Sequence, residues 1–292
     1  MREALFIALG LLAGGAATTW MAPLATLNML ARLEDVRLIA DRSYAEGPPH
    51  GIDIYAPRAA GGPRPVVVFF YGGGWEEGER ALYRFVGAAL ASRGIVTLVP
   101  DYRVYPEVRF PDFLKDGARA VRWAREHAAE FGGDASLVFL AGHSAGAHIA
   151  AMLAFDRQWL EGVDLDSRRD IAGLIGLAGP YDFLPLHSRT LEEIFGEETG
   201  RALSQPINFV AGGEVPAFLA TGIDDHTVDP GNTARLAARL EQQGGDVTFR
   251  RYPRVDHRTV LGALSRPLRL IAPVLDDMDA FIDGVRRREA AS

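Results

Sequence analysis

Cysteine is missing from all 292 residues, which excludes disulfides, thiolate nucleophiles and cysteine metal sites together. Lysine is nearly missing too: Lys115 is the only one among 31 basic residues, so Schiff-base chemistry has almost nowhere to sit. Acidic residues outnumber basic ones to give a net charge of -7 and a pI near 5.5. Without a basic patch, the balance argues against nucleic acid as a partner. Internal repeats, low-complexity tracts and Pro/Ser-rich linkers are also absent, and the length suits one large α/β domain.

Charge is lacking in a second way, along the amino end. Between Glu3 and Arg32 there is no charged residue, and residues 4–17 are almost wholly apolar. Residues 1–35 therefore suit a signal peptide or membrane anchor, which would bring membrane contact. Against this, Glu3 offsets Arg2, and Gly14, Gly15, Thr18, Thr19, Pro23 and Asn28 dilute the run. Leu24, Leu27, Leu30 and Leu33 recur at spacings of three, as in a helical arm laid over the domain of a cytoplasmic protein. Signal or anchor is favoured, and residues 36–292 are assigned to one catalytic domain.

What is present is a repeating pattern. Residues 36–40 and 51–55 alternate apolar and polar residues, as an antiparallel pair at a sheet edge does. Unbroken apolar runs at 66–70, 95–99, 137–141, 171–177 and 217–221, and a strand at 247–252, then alternate with helical patterns at 80–92, 111–131, 147–155, 232–243 and 267–285. Such alternation predicts a mostly parallel sheet with helices on both faces. Ligands in such a fold sit at the carboxyl ends of the strands.

At one of those ends stands Gly142-His143-Ser144-Ala145-Gly146, a G-x-S-x-G between strand and helix. The glycines permit a sharp turn and close backbone approach, leaving the serine exposed where helix N–H groups favour negative charge. Ser144 is the expected nucleophile. Tyr71-Gly72-Gly73-Gly74-Trp75 leaves the first buried strand at the same edge. Its consecutive glycines let N–H groups converge, so Gly73 and Gly74, with Ala145, are expected to form an oxyanion hole walled by Trp75. No Gly-Lys-Ser/Thr follows, and Glu76, Glu77 and Glu79 would repel a phosphate.

A serine needs a general base and an orienting acid. Of seven histidines, His257 lies just past the last strand and is the expected base; His143 and His148 are expected to be structural, and His50, His127 and His187 to lie in surface-like contexts. The loop after the strand at 217–221 holds Asp224 and Asp225, completing the chain order Ser, Asp, His. With a single histidine, that loop is not read as a metal site, and no cofactor is expected.

Gly-Gly-Gly-Trp after a strand, Asp101-Tyr102-Arg103, Phe110-Pro111 with Asp116, Gly142 to His148, and the downstream Asp225 and His257 together resemble the α/β-hydrolase superfamily. More closely they resemble its carboxylesterase branch, shared by hormone-sensitive-lipase-like, kynurenine-formamidase-like and feruloyl-esterase-like enzymes. The resemblance spans residues 41–282. It implies an eight-stranded, mostly parallel sheet and a serine nucleophile, and it selects Asp225 over Asp224; the shortness of segment 185–215 leaves room only for a minimal lid. One departure is Tyr71, where the family usually has a histidine supporting the glycine loop; the tyrosine is expected to reach a different partner.

The expected activity is serine carboxylesterase action on a small-molecule ester with a small to medium acyl group. Trp75, Tyr181, Phe183 and Leu184 are expected to line the substrate site, with residues 185–215 as the lid. An arylformamidase-type amide hydrolase is the alternative, and a non-catalytic ligand-binding protein on the same fold a third. Oligomeric state is not legible.

Overall fold

The computed structural model describes residues 18–59 and 61–291, with the backbone alone for 18–23. Residues 4–17, on which the signal or anchor reading mostly rests, lie outside the described residues. No described helix is long and apolar enough to cross a membrane.

Eight strands form one sheet: β1 (Val36–Ser43), β2 (Gly51–Pro57), β3 (Arg64–Phe70), β4 (Val96–Pro100), β5 (Gly133–His143), β6 (Gly173–Leu177), β7 (Ala217–Gly222) and β8 (Val247–Tyr252). Their spatial order is β1-β2-β4-β3-β5-β6-β7-β8. β1, β2 and β4 pair antiparallel, and every pairing from β4 through β3 to β8 is parallel. The alternating segment at the amino edge and the unbroken apolar runs thus divide as expected. β3 is buried from Pro65 to Phe70 and β4 throughout, because helices cover both faces of a parallel sheet.

The helices are α1 (Thr18–Leu30), α2 (Arg84–Ala91), α3 (Asp112–His127), α4 (Ala145–Phe155), α5 (Arg189–Phe195), α6 (Gly231–Gln242), α7 (His257–Gly262) and α8 (Val274–Glu289), besides one-turn pieces. All eleven residues of α4 are buried, which its all-round apolar sequence requires. α1 ends docked on the domain. The Asn28 side-chain amide donates to the Ala81 carbonyl at 2.9 Å and accepts from the Phe85 N–H at 3.0 Å.

Several boundaries differ from the sequence reading; β5, for instance, starts at Gly133 rather than at residue 137. The helix expected over 267–285 starts only at Val274, because Pro273 cannot donate to a preceding turn. The helix expected over 80–92 opens as a 3₁₀ turn, Arg80–Tyr83, before α2 begins.

Candidate active site

β3 and β5 are neighbours with Phe70 opposite Gly142, so the glycine loop and the serine turn leave the sheet side by side. Ser144 has φ 55 and ψ -126, a strained conformation for a residue with a side chain. It is held there by its N–H to the Leu177 carbonyl (3.0 Å) and by its own carbonyl, which accepts from Ala147 (3.0 Å) and His148 (3.2 Å). The flanking glycines are required by space rather than by φ. A Cβ on Gly142 would lie 2.2 Å from the Gly146 carbonyl oxygen, and one on Gly146 would lie 2.1 Å from that of Phe70.

β7 and β8 end together, Gly222 opposite Tyr252, and the loops beyond them deliver Asp225 and His257. His257 Nδ1 is 2.8 Å from Asp225 Oδ2, and both residues are buried. The other Asp225 oxygen accepts the N–H groups of Thr227 and Val228, each at 2.9 Å. Burial alone would raise the Asp225 pKa, but the hydrogen bond and charge of His257 and those two N–H groups outweigh it and lower it. An ionised acceptor there puts the His257 proton on Nδ1 and leaves Nε2 free as a base. Asp224 is exposed. Only Asp225, among the two, meets the histidine.

His257 opens α7 rather than lying in a loop. The preceding Asp256 caps that helix, its carboxylate accepting from Arg258 (3.0 Å) and Thr259 (2.7 Å). The signal was present as Asp256-x-x-Thr259, a capping box. His143 has a role the sequence did not reveal: its Nε2 lies 2.8 Å from the His257 carbonyl, and the rings are 4.6 Å apart. A carbonyl only accepts, so His143 donates and buttresses His257.

Ser144, His257, Trp75 and Gly72 to Gly74 line one cavity of about 1280 Å³. Gly73 and Gly74 have φ of 137 and 63, and a Cβ on Gly73 would lie 1.9 Å from the Glu77 carbonyl oxygen. Among the described residues, no backbone hydrogen bond has the N–H of Gly73, Gly74 or Ala145 as donor. Tyr71 donates to Asp101 Oδ1 at 3.1 Å, and Arg80 binds the same carboxylate.

Phe183 and Leu184 line the cavity, with Phe183 5.8 Å from the Trp75 ring. Tyr181 does not. It is fully buried and lies across Gly176 and Gly179, where a Cβ would come 2.1 Å and 2.4 Å from its phenol. Those two glycines open a slot in the core, and the ring fills it. His50 is likewise buried, contrary to its surface-like context, with Nδ1 2.7 Å from the Glu46 carbonyl. Residues 185–215 carry α5 and cover one side of the cavity, pinned by Phe195 on Trp75 (4.9 Å) and by His148 Nε2, 2.8 Å from the Ser204 carbonyl.

Burial pushes the pKa of His143 down to about 3 and that of His148 to about 4. Both stay neutral when folded but protonate near 6.5 when unfolded, so their contribution is full above pH 6.5 and is lost as pH falls toward 4. Each makes stability fall by about 1.4 kcal/mol per pH unit in that window. In His148→Gln, which keeps a donor toward Ser204, the melting temperature should decline less steeply between pH 7 and 4.5. An unchanged slope would contradict this assignment.

An eight-stranded sheet with a strained serine at the carboxyl edge and a buried Asp-His pair whose histidine lines the same cavity defines an α/β-hydrolase of the carboxylesterase branch. The BD-FAE family model matches residues 52–240, and the chain belongs to that family. It is 31% identical over 276 residues to the probable isoprenylcysteine alpha-carbonyl methylesterase ICMEL1 of Arabidopsis thaliana, covering 84% of this chain and 58% of that protein. Esterase LipC of Mycobacterium tuberculosis is 33% identical over 174 residues, 57% of this chain and 43% of its own length. The chain thus spans only about half of the curated relatives it matches. Among solved structures, Thermogutta terrifontis esterase 2 superposes with a TM-score of 0.70 at 25% identity, covering 86% of this chain and 95% of that one.

Proposed function

We propose that the chain is a serine carboxylesterase acting on small to medium acyl esters. The observation that carries the reading is the His257–Asp225 contact at 2.8 Å, with His257 lining the cavity that Ser144 also lines. Ser144 Oγ attacks the ester carbonyl while His257 Nε2 takes its proton; Asp225 holds the imidazole and balances the imidazolium charge. The N–H groups of Gly73, Gly74 and Ala145 receive the oxyanion. His257 returns the proton to the leaving alcohol as the acyl-enzyme forms, and then activates the water that releases the acid. The ester named for the Arabidopsis relative agrees with this class of bond.

The cavity wall also favours one kind of ester. Leu24, Leu82, Leu184 and Leu191 supply apolar surface, while the exposed Glu76, Glu77 and Glu79 border it. Arg235, a cation at the rim, is tied to Asp182 and Asp229. Esters bearing a free carboxylate should therefore be poorer substrates by roughly tenfold in kcat/KM at low salt, narrowing as salt is added.

Steady-state turnover of p-nitrophenyl esters from acetate to palmitate, run beside a succinate half-ester and N-formylkynurenine, tests the whole reading. An optimum at short to medium chains supports it. Turnover of the formamide alone would transfer the machinery to an amide bond, and no turnover of any would refute it.

A further inference from the structure

Beneath the glycine loop, Phe85, Tyr83, Tyr71 and Tyr102 stack in that order, with centroids 6.5, 5.1 and 4.7 Å apart. All four are buried, and the hydroxyls of the last three are each used. Tyr71 donates to Asp101, Tyr102 to the Tyr71 carbonyl at 2.7 Å, and Tyr83 to the Gly72 carbonyl at 3.2 Å. The last of these bears on the oxyanion hole. The Gly72 carbonyl and the Gly73 N–H belong to one planar trans peptide unit and point in opposite directions. A donor that holds the oxygen on one side therefore sets the direction of the N–H on the other. The next unit is held in the same manner: the Gly73 carbonyl accepts from Glu76 and Glu77, both at 3.0 Å, which turns the Gly74 N–H away from them.

We infer that Tyr83 is a positioning residue for the oxyanion hole, acting through the Gly72–Gly73 peptide; the inference rests on the esterase reading above. As negative charge grows on the substrate oxygen, it polarises the Gly73 N–H. The Gly72 carbonyl then becomes a better acceptor, and the Tyr83 hydroxyl binds it more strongly in the transition state than in the ground state. Such an interaction raises kcat and leaves substrate binding alone. Burial pushes the Tyr83 pKa upward, so the hydroxyl keeps its proton to donate. The 3₁₀ turn that carries Tyr83 is itself braced by Asn28 of α1, which bonds Ala81 within the turn and Phe85 just after it.

Tyr83→Phe keeps the ring stack and deletes only the hydroxyl. On p-nitrophenyl butyrate it should lower kcat about tenfold, short of the 10²–10³-fold cost of losing an oxyanion donor outright. KM should hold within about twofold, and the affinity for an alkylboronic acid, a tetrahedral transition-state analogue, should fall by the same factor as kcat/KM. Tyr102→Phe removes the equivalent hydroxyl one peptide earlier and controls for loosening of the stack. Its melting temperature should drop about as far as that of Tyr83→Phe, with a smaller loss of kcat. Wild-type kcat in Tyr83→Phe, an equal kcat loss in Tyr102→Phe, or unchanged boronate affinity would each overturn the inference. Ser144→Ala in parallel separates the two claims. An inactive Ser144 variant beside an unimpaired Tyr83 variant overturns the inference alone, whereas an active Ser144 variant overturns the reading beneath it and the inference with it.

Discussion

Replacing Ser144 with alanine is expected to lower ester turnover by up to about a millionfold, the cost of removing the nucleophile from a unit whose members act together. No neighbour can take over. Cysteine is absent, and the strained φ of 55 is found at Ser144 and not at another hydroxyl residue near the cavity. The variant should remain folded, because alanine keeps the same backbone and α4 stays packed around it. Two readings check the expectation together: turnover of p-nitrophenyl butyrate, and covalent labelling by a fluorophosphonate followed by intact mass. Undiminished turnover, or a label on another residue, would remove Ser144 from the mechanism.

Asparagine at Asp225 is the second large effect, about 10⁴-fold in kcat, as expected when the histidine is offered the wrong hydrogen-bonding partner. The present carboxylate accepts three hydrogen bonds, from Thr227, Val228 and His257. An amide can turn its NH₂ toward Nδ1, which forces the imidazole proton to Nε2 and leaves no lone pair for the Ser144 hydroxyl. Asp224→Asn is the matched control, and its exposed side chain predicts turnover within about twofold of wild type. Should the Asp224 variant lose more than the Asp225 variant, the orienting acid has been misassigned.

Most of the site was legible because its signals are local. The serine elbow needs two glycines at fixed offsets between a strand and a helix, and Gly142 and Gly146 meet backbone so closely that no other residue fits. The parallel character of the sheet followed from unbroken apolar runs, which suit strands buried on both faces. Other features depended on partners far along the chain. Tyr181 follows a buried strand in the manner of a pocket residue, yet its ring is taken up by Gly176 and Gly179. His143 sits beside Ser144, but its ring is spent on the carbonyl of His257, 114 residues away. Tyr71 lies at the head of the glycine loop, but its hydroxyl is spent on Asp101, 30 residues away.

By itself, then, the sequence determined the fold class, the candidate nucleophile and the candidates for its partners, since periodicity and turn chemistry are carried by neighbouring residues. Tertiary structure alone decided which aromatic rings face the cavity and which hydroxyl binds the Gly72 carbonyl, and it supplied the physical contact behind the choice of Asp225 that the family resemblance had made. Adjacent residues such as Asp224 and Asp225 are nearly equivalent as sequence. They become unlike only when parallel strands β7 and β8 end together and bury one carboxylate against an imidazole while leaving the other in water.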